Sequence, residues 1–198
     1  MEGNDFARLK KKSETEKRVI AYQDEAALCL CPTTVSTYAP IGKTPILTVS
    51  DTKKYQHLSI SVFMSEKGEL FYEVREGNFN GKAIVRQIKK TFHRRGKSKY
   101  TIIWDGASIH TCQDIKDYLK QEEATQRLHL VKIPPYSPEL NPVETFWAYF
   151  KGTILKGIVP KNLAELKEIV IEKLEMLKKD TTLLQNFFRN KKIAFMQT

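Results

Sequence analysis

Cysteine is scarce in this 198-residue chain: three residues, Cys29, Cys31 and Cys112. An odd count, with one residue between the first two, supplies neither a disulfide framework nor a zinc-type spacing. The thiols are therefore expected to be reduced and buried in strands or a helix. The four histidines, His57, His93, His110 and His129, are scattered without zinc-site spacing. No apolar run approaches the ~20 residues that cross a bilayer, and the opening MEGNDFARLKKK lacks the apolar stretch of a secretory signal. An intracellular protein with no membrane partner is expected. A phosphate loop is missing too: Thr37 stands where the first glycine before Gly42, Lys43 and Thr44 is required, and Pro45 opposes the helix that has to follow. No nucleotide cofactor is expected, and there is no internal repeat or low-complexity tract.

Negative charge is in deficit. Against 33 Lys and Arg stand 23 Asp and Glu, a formal charge of +10. Unbalanced positive charge does nothing for folding and favours a polyanionic partner, of which nucleic acid is the commonest. The apolar fraction of 41% is ordinary for one core with, at most, a helical appendage.

Residues 1–17 are polar, with Lys10, Lys11 and Lys12 in a block, and read as a frayed or weakly helical basic arm. A β-rich run follows over Arg18–Cys31, then a Pro/Gly loop, then HLSISVFM and ELFYEVRE separated by the turn signal SEKG, a predicted hairpin. Ile84, Val85, Ile88 and Phe92 recur at helical spacing; KYTIIWD is a short apolar strand; Ile115, Tyr118 and Leu119 mark another helix; LHLVKI gives a further strand. The order predicts an α/β layer with three antiparallel strands first and parallel crossovers later. Past residue 155, Leu163, Leu166, Val170, Leu174 and Leu177 form an apolar helical stripe behind a capping box of Asn162 and Glu165. The expected division is thus an arm over 1–17, a catalytic domain over 18–155 and a helical extension over 156–198 packing on the same domain.

Three acids occupy element ends: Asp24 at the end of the first strand, Asp105 after TIIW, and Glu144 in the first turn of a helix. Strand ends are where open α/β sheets assemble their sites, and Asp105 cannot be buried behind that apolar run without a partner or a cation. The segment KIPPYSPELNPVETFWAYFK surrounds Glu144 with Pro134, Pro135, Pro138 and Pro142. Asn141 is a fitting N-cap, Pro142 suits the first helical position, and Glu144 falls three residues after the cap. Carboxylates converging from three elements repel unless a cation lies between them; hard oxygen ligands suit Mg2+ or Mn2+, and a pair of such ions serves phosphodiester chemistry.

This constellation resembles the DDE transposases of the mariner-like superfamily and the related bacterial insertion-sequence enzymes. PPYSPELNPVETFWAYFK looks like the segment around that family's third acid, YQDEAAL with YAPIGKTP like its first acidic motif and following loop, and IIWDGASIH like its second. The resemblance implies an RNase H-like fold and a triad of Asp24, Asp105 and Glu144 holding two Mg2+ or Mn2+ ions. It also implies transposon-end and target DNA as partners, a homodimeric synapse, and a cytoplasmic or nucleoid location in a bacterium. Departures are Gly106 where Asn is common after the second acid, and a spacer of 38 residues between Asp105 and Glu144, somewhat long for mariner-like enzymes. Only 23 residues precede Asp24, too few for the helix-turn-helix modules that read transposon ends. A fragment, one frame of a split element, or the catalytic half alone is expected, cleaving DNA weakly and without sequence preference.

Several other residues carry expectations. Glu25 adjoins Asp24, and since neighbours on a strand face opposite ways, only one should enter the site; the motif favours Asp24. His110, five residues past Asp105, is a candidate to orient water or phosphate. Lys89, Lys90, Arg94, Arg95, Lys97 and Lys99 crowd into eleven positions and, with Lys151 two turns after Glu144, are candidate contacts to the DNA backbone. Val143, Trp147 and Phe150 are expected in the core. The activity expected is cleavage at a transposon end followed by strand transfer; the alternatives are a metal-dependent nuclease that only hydrolyses, and a non-catalytic DNA-binding protein descended from a transposase.

Overall fold

A computed structural model describes residues 3–30, 38–43, 56–94, 96, 98–134 and 137–189. Its frame is a five-stranded sheet in the order β3-β2-β1-β4-β5. The strands are β1 (Arg18–Cys29), β2 (His57–Ser65), β3 (Leu70–Glu76), β4 (Lys99–Trp104) and β5 (Leu128–Lys132). β1 pairs antiparallel with β2 and parallel with β4; β2 and β3 are antiparallel, β4 and β5 parallel. This is the predicted mixture of an early meander and later crossovers. β1 lies at the centre, and Asp24 is not at its end as expected: the strand runs on to Cys29 against β2, and Asp24 stands just past the point, Tyr22–Ile103, where pairing with β4 stops.

Strand alternation divides the core into two layers. On one face Ile20 and Tyr22 of β1, Ile60 and Val62 of β2 and Ile103 of β4 meet α6 (Pro142–Tyr149), α7 (Leu163–Lys179) and α8 (Thr181–Asn186) through Val143, Phe146, Val170, Leu174 and Leu184. On the other, Ala21, Phe63, Ile102 and Trp104 meet Ile84 and Ile88 of α2 (Gly81–Arg94), Ile115 and Tyr118 of α4 (Gln113–Leu119) and Ala124 of α5 (Glu122–Arg127). A short turn, α3 (Ser108–Thr111), links β4 to α4. Val143, Trp147 and Phe150 are buried as their spacing predicts.

The polar opening segment forms α1 (Gly3–Thr15), with Leu9 and Ser13 buried; Ser13 Oγ and Thr101 Oγ1 share a hydrogen bond of 2.8 Å. The C-terminal stripe joins the same core cluster as α6, and Asn162 caps α7 by accepting from Glu165 N at 2.9 Å. Tyr72 of β3 donates to Glu175 of α7 at 2.7 Å, tying that helix to the sheet edge. Burial of the thiols needs correction for Cys29, which is exposed at the end of β1; Cys112 is half-buried, its Sγ donating to the Ile109 carbonyl, and Cys31 lies outside the described residues. There β1 still pairs with β2 but has run beyond the end of its pairing with β4.

At the β2–β3 turn Gly68 adopts φ +77°, and a Cβ there would lie 2.5 Å from the Thr181 carbonyl at the start of α8. Both the left-handed backbone and the close approach demand glycine. Gly68→Ala is expected to destabilise the chain by about 2 kcal/mol, a fall in the unfolding midpoint of roughly 4–8 °C. An unchanged midpoint in thermal unfolding would mean that α8 does not rest on this turn.

Candidate active site

Asp24, Asp105 and Glu144 line one cleft of about 370 Å³, together with Gly106, Ile133, Pro134, Ser137, Pro138 and Asn141. Each acid comes from a different element, and each placement has a local cause. Asp24 is on the α6-facing side of β1, in register with Val62 of β2. Asp105 follows the last residue of β4, where a parallel strand between two others stops and the chain turns away. Glu144 is in the first turn of α6.

The start of α6 explains why the proline-rich segment surrounds Glu144. A 3-10 turn over Pro138–Leu140 brings the Pro138 carbonyl to the Asn141 N–H at 2.9 Å, so the backbone donor that a capping-box glutamate would bind is already taken. Glu144 is thus released from capping; it is exposed and accepts no hydrogen bond among the described residues. Asn141 carries the cap alone, Oδ1 accepting from Val143 N at 3.1 Å, while its Nδ2 donates to Asp24 Oδ2 at 3.1 Å. One buried amide therefore fixes the start of α6 and the carboxylate of β1 together. Pro135 lies outside the described residues.

Asp24 Oδ1 also accepts from the Glu25 N–H at 2.8 Å. Burial nevertheless pushes its carboxyl up to about 7; the Glu25 N–H opposes this, and the charges of Glu144, Glu25 and Asp105 add to it. The mutual repulsion of these groups is the electrostatic signature of convergence. Among the described residues no Lys or Arg forms an ion pair with Asp24, Asp105 or Glu144, and none lines the cleft. Nor, among those residues, do three His, Cys, Asp or Glu side chains close into a ready-made metal cage. The acids share a cleft without yet gripping a common point.

Asp105 Oδ1 accepts from Ala107 N at 3.0 Å and from His110 Nδ1 at 2.7 Å. The imidazole lies flat on Trp104, ring centroids 4.5 Å apart and 6° from parallel, and its Nε2 faces Glu25 Oε1 at 3.3 Å. Burial disfavours the charged ring, but the hydrogen bond and charge of Glu25, joined by those of Asp105, outweigh it and hold the His110 pKa above its ordinary value. With 0% of its side chain exposed, His110 has no surface to offer a phosphate. Both of its ring nitrogens face carboxylates instead.

Of the basic residues singled out in the sequence, Lys89, Lys90, Lys99 and Lys151 are described, and none lines the cleft. Lys99 begins β4 whereas Asp105 follows its end, so Lys99 lies roughly 20 Å from Asp105 at the rise of an extended chain. Lys89 Nζ lies 5.2 Å from the centre of the Tyr118 ring, and Lys90 pairs with Glu73 at 3.8 Å. The side chain of Arg94 and the whole of Arg95 and Lys97 lie outside the described residues. Lys151 is half-buried in a π-helical turn, Phe150–Ile154, that shifts its phase relative to Glu144.

Residues 19–167 match the family model described as DDE superfamily endonuclease. The chain belongs to that family. Among solved structures, this DDE family chain is similar to the Mos1 mariner paired-end complex with Mn (18% identity, TM-score 0.64, 96% of this chain and 59% of that one). It is likewise similar to the paired-end complex with Mg (18%, 0.67, 99% and 60%). The catalytic domain of Mos1 mariner transposase matches at 16% identity and TM-score 0.58, over 98% of this chain and 91% of that one. The fold is therefore the RNase H-like fold of that catalytic domain, and the chain spans about three-fifths of the Mos1 chains in the paired-end complexes. No curated protein matches the chain.

Two contacts at the cleft are not legible in the sequence. Asn141 was legible as a cap, but its bond to a residue 117 positions away was not. Glu25 does face away from Asp24 as strand alternation requires, yet it reaches the second acid through His110.

Proposed function

We propose that this chain is the catalytic domain of a transposase, which cleaves a phosphodiester bond at a transposon end and joins the freed 3′ hydroxyl to target DNA. The observation that carries the reading is the convergence of Asp24, Asp105 and Glu144 on one cleft lined, among the described residues, by no basic side chain, with the Asp24 carboxyl raised in part by its acidic neighbours. Such a donor set fits a divalent cation. The oxygens are hard, the local charge is negative, and the lone pairs of an ionised carboxylate exceed the bonds that Asp24 and Asp105 now accept.

In this reading Asp24 and Asp105 hold two Mg2+ or Mn2+ ions, with Glu144 completing the shell and orienting the attacking water. Bound there, the ions supply a water of lowered pKa and offset charge on the leaving oxygen. Asn141 holds Asp24 towards the helix that brings Glu144, so the protein contributes spacing and orientation. Lys89, Lys90, Arg94, Arg95, Lys97, Lys99 and Lys151 meet backbone phosphates, giving positioning without sequence readout, and two copies assemble around paired ends.

Incubating the chain with supercoiled plasmid, labelled transposon-end DNA and Mg2+ or Mn2+ tests this. Metal-dependent nicking accompanied by a joined, labelled product is expected. Nicking without any joined product would reduce the activity to hydrolysis, and no nicking at any concentration of either metal would leave a DNA-binding descendant of a transposase.

A further inference from the structure

We infer that Glu25 is a positioning residue for the carboxylate of Asp105, acting through the imidazole of His110; the inference rests on the reading of Asp105 as a cation ligand. Asp105 stands beyond the end of β4 with 54% of its side chain exposed, so packing alone does not select its rotamer. Two donors do: Ala107 N–H and His110 Nδ1, both on Oδ1. The first belongs to the same turn and moves with it. The second belongs to a ring whose tilt is set by the face of Trp104, itself 1% exposed.

Stacking fixes the plane of the ring but not how far it swings along the Trp104 face by rotation about its χ1. The contact at the other ring nitrogen limits that swing, and Glu25 makes it. Glu25 is anchored in turn. Gln23, on the same face of β1, donates to Glu25 Oε1 and to Ser61 Oγ of β2 at 3.0 Å, and Gln87 of α2 donates to the Ser61 carbonyl at 3.0 Å. Gln23, Ser61 and Gln87 are all buried. A line of hydrogen bonds therefore runs from the sheet interior to the loop that carries Asp105.

The consequence concerns spacing. Asp24 and Glu25 are consecutive, so β1 presents one carboxylate to the cleft from its α6 face and, from the opposite face, holds the ring that holds the other carboxylate. The separation of Asp24 from Asp105 is thereby tied to one stretch of extended backbone. Groups that orient metal-binding carboxylates influence metal affinity about 10-fold or more when removed.

The test is a titration of Mn2+ into the full chain, counting free ion by its electron paramagnetic resonance signal, with thermal unfolding in the absence of metal run alongside. Glu25→Ala is expected to weaken Mn2+ binding about 10-fold, and Glu25→Gln, which keeps a partner for Nε2, to restore most of it. His110→Asn keeps a donor towards Asp105 but severs the link to Glu25, so adding Glu25→Ala to it should cost nothing further. Glu25→Ser replaces the alanine variant if that one unfolds below the titration temperature. Wild-type affinity in the Glu25→Ala or Glu25→Ser protein, or an undiminished loss in the His110→Asn background, overturns the inference alone. Failure of the wild type to bind Mn2+ overturns the ligand reading of Asp105, and this inference with it.

Discussion

Asp105→Asn is expected to abolish metal-dependent nicking while leaving the chain folded. The amide keeps the shape of the side chain and an oxygen to accept from Ala107 N and His110, so the turn after β4 survives. What disappears is the negative charge at the only one of the three acids that is both strand-end and more than half exposed. Metal-assisted phosphodiester chemistry draws several kcal/mol of transition-state stabilisation from its ions; losing about 4 kcal/mol corresponds to roughly a 10³-fold slower reaction. Initial nicking rates on supercoiled plasmid over a Mn2+ series, with far-ultraviolet circular dichroism as the check on folding, measure it. A folded variant that nicks within tenfold of the wild type would remove Asp105 from the reaction. Removing the charge should also lower the Asp24 pKa, because Asp105 is one of the groups that raises it.

Asn141→Ala should cost stability and activity together, because one side chain does two jobs. Losing the N-cap of α6 is worth about 1 kcal/mol, and losing a donor to a buried carboxylate adds about 2 kcal/mol. With the residue 5% exposed, water is poorly placed to substitute. The sum of about 3 kcal/mol lowers the unfolding midpoint of a chain this size by roughly 6–12 °C. Asn141→Ser separates the contributions: a serine hydroxyl can cap Val143 N but is too short to reach Asp24, so it should recover only the smaller share. Asn141→Asp retains the cap and sets a further carboxylate against Asp24, which should weaken the metal-free protein and make its midpoint rise steeply with added Mn2+. Equal midpoints for the alanine and serine variants would show that Asn141 acts on Asp24 and not on the helix.

Two acids of the candidate cleft were legible by position, whereas Asp24, mid-strand in β1, was singled out by the motif resemblance. TIIW cannot bury an aspartate, so Asp105 had to stand at its end. NPVE places a cap, a proline and a glutamate at the first turn of α6, and all three are found there. The core positions Val143, Trp147 and Phe150 followed from helical spacing alone. The prolines around Glu144 have a structural consequence: the 3-10 turn consumes the Asn141 N–H and leaves the glutamate without a hydrogen bond among the described residues. His110 was visible only as a nearby polar residue, since nothing in its spacing distinguishes a ring that meets phosphate from one clamped between carboxylates.

The basic run illustrates the opposite case. Six cations within eleven residues are conspicuous in one dimension, yet they straddle the end of α2 and the beginning of β4. Parallel pairing of β1 with β4 sets Lys99 level with Arg18, at the end of β4 away from Asp105, whereas Lys90 pairs with Glu73, level with Ser61 and Glu25 on the α2 side of the sheet. Charge density is a property of the sequence; the face it decorates is a property of register.

By itself the sequence determined the order of elements, the apolar faces, the helix caps and the placement of Asp105 and Glu144, because these depend on periodicity, steric punctuation and the cost of burying charge, all of which act between residues close along the chain. The tertiary structure alone decided that Asn141 holds Asp24 and that Glu25 meets Asp105 across His110, since hydrogen bonds between residues 85 and 117 positions apart exist only once sheet order and register have brought their elements together.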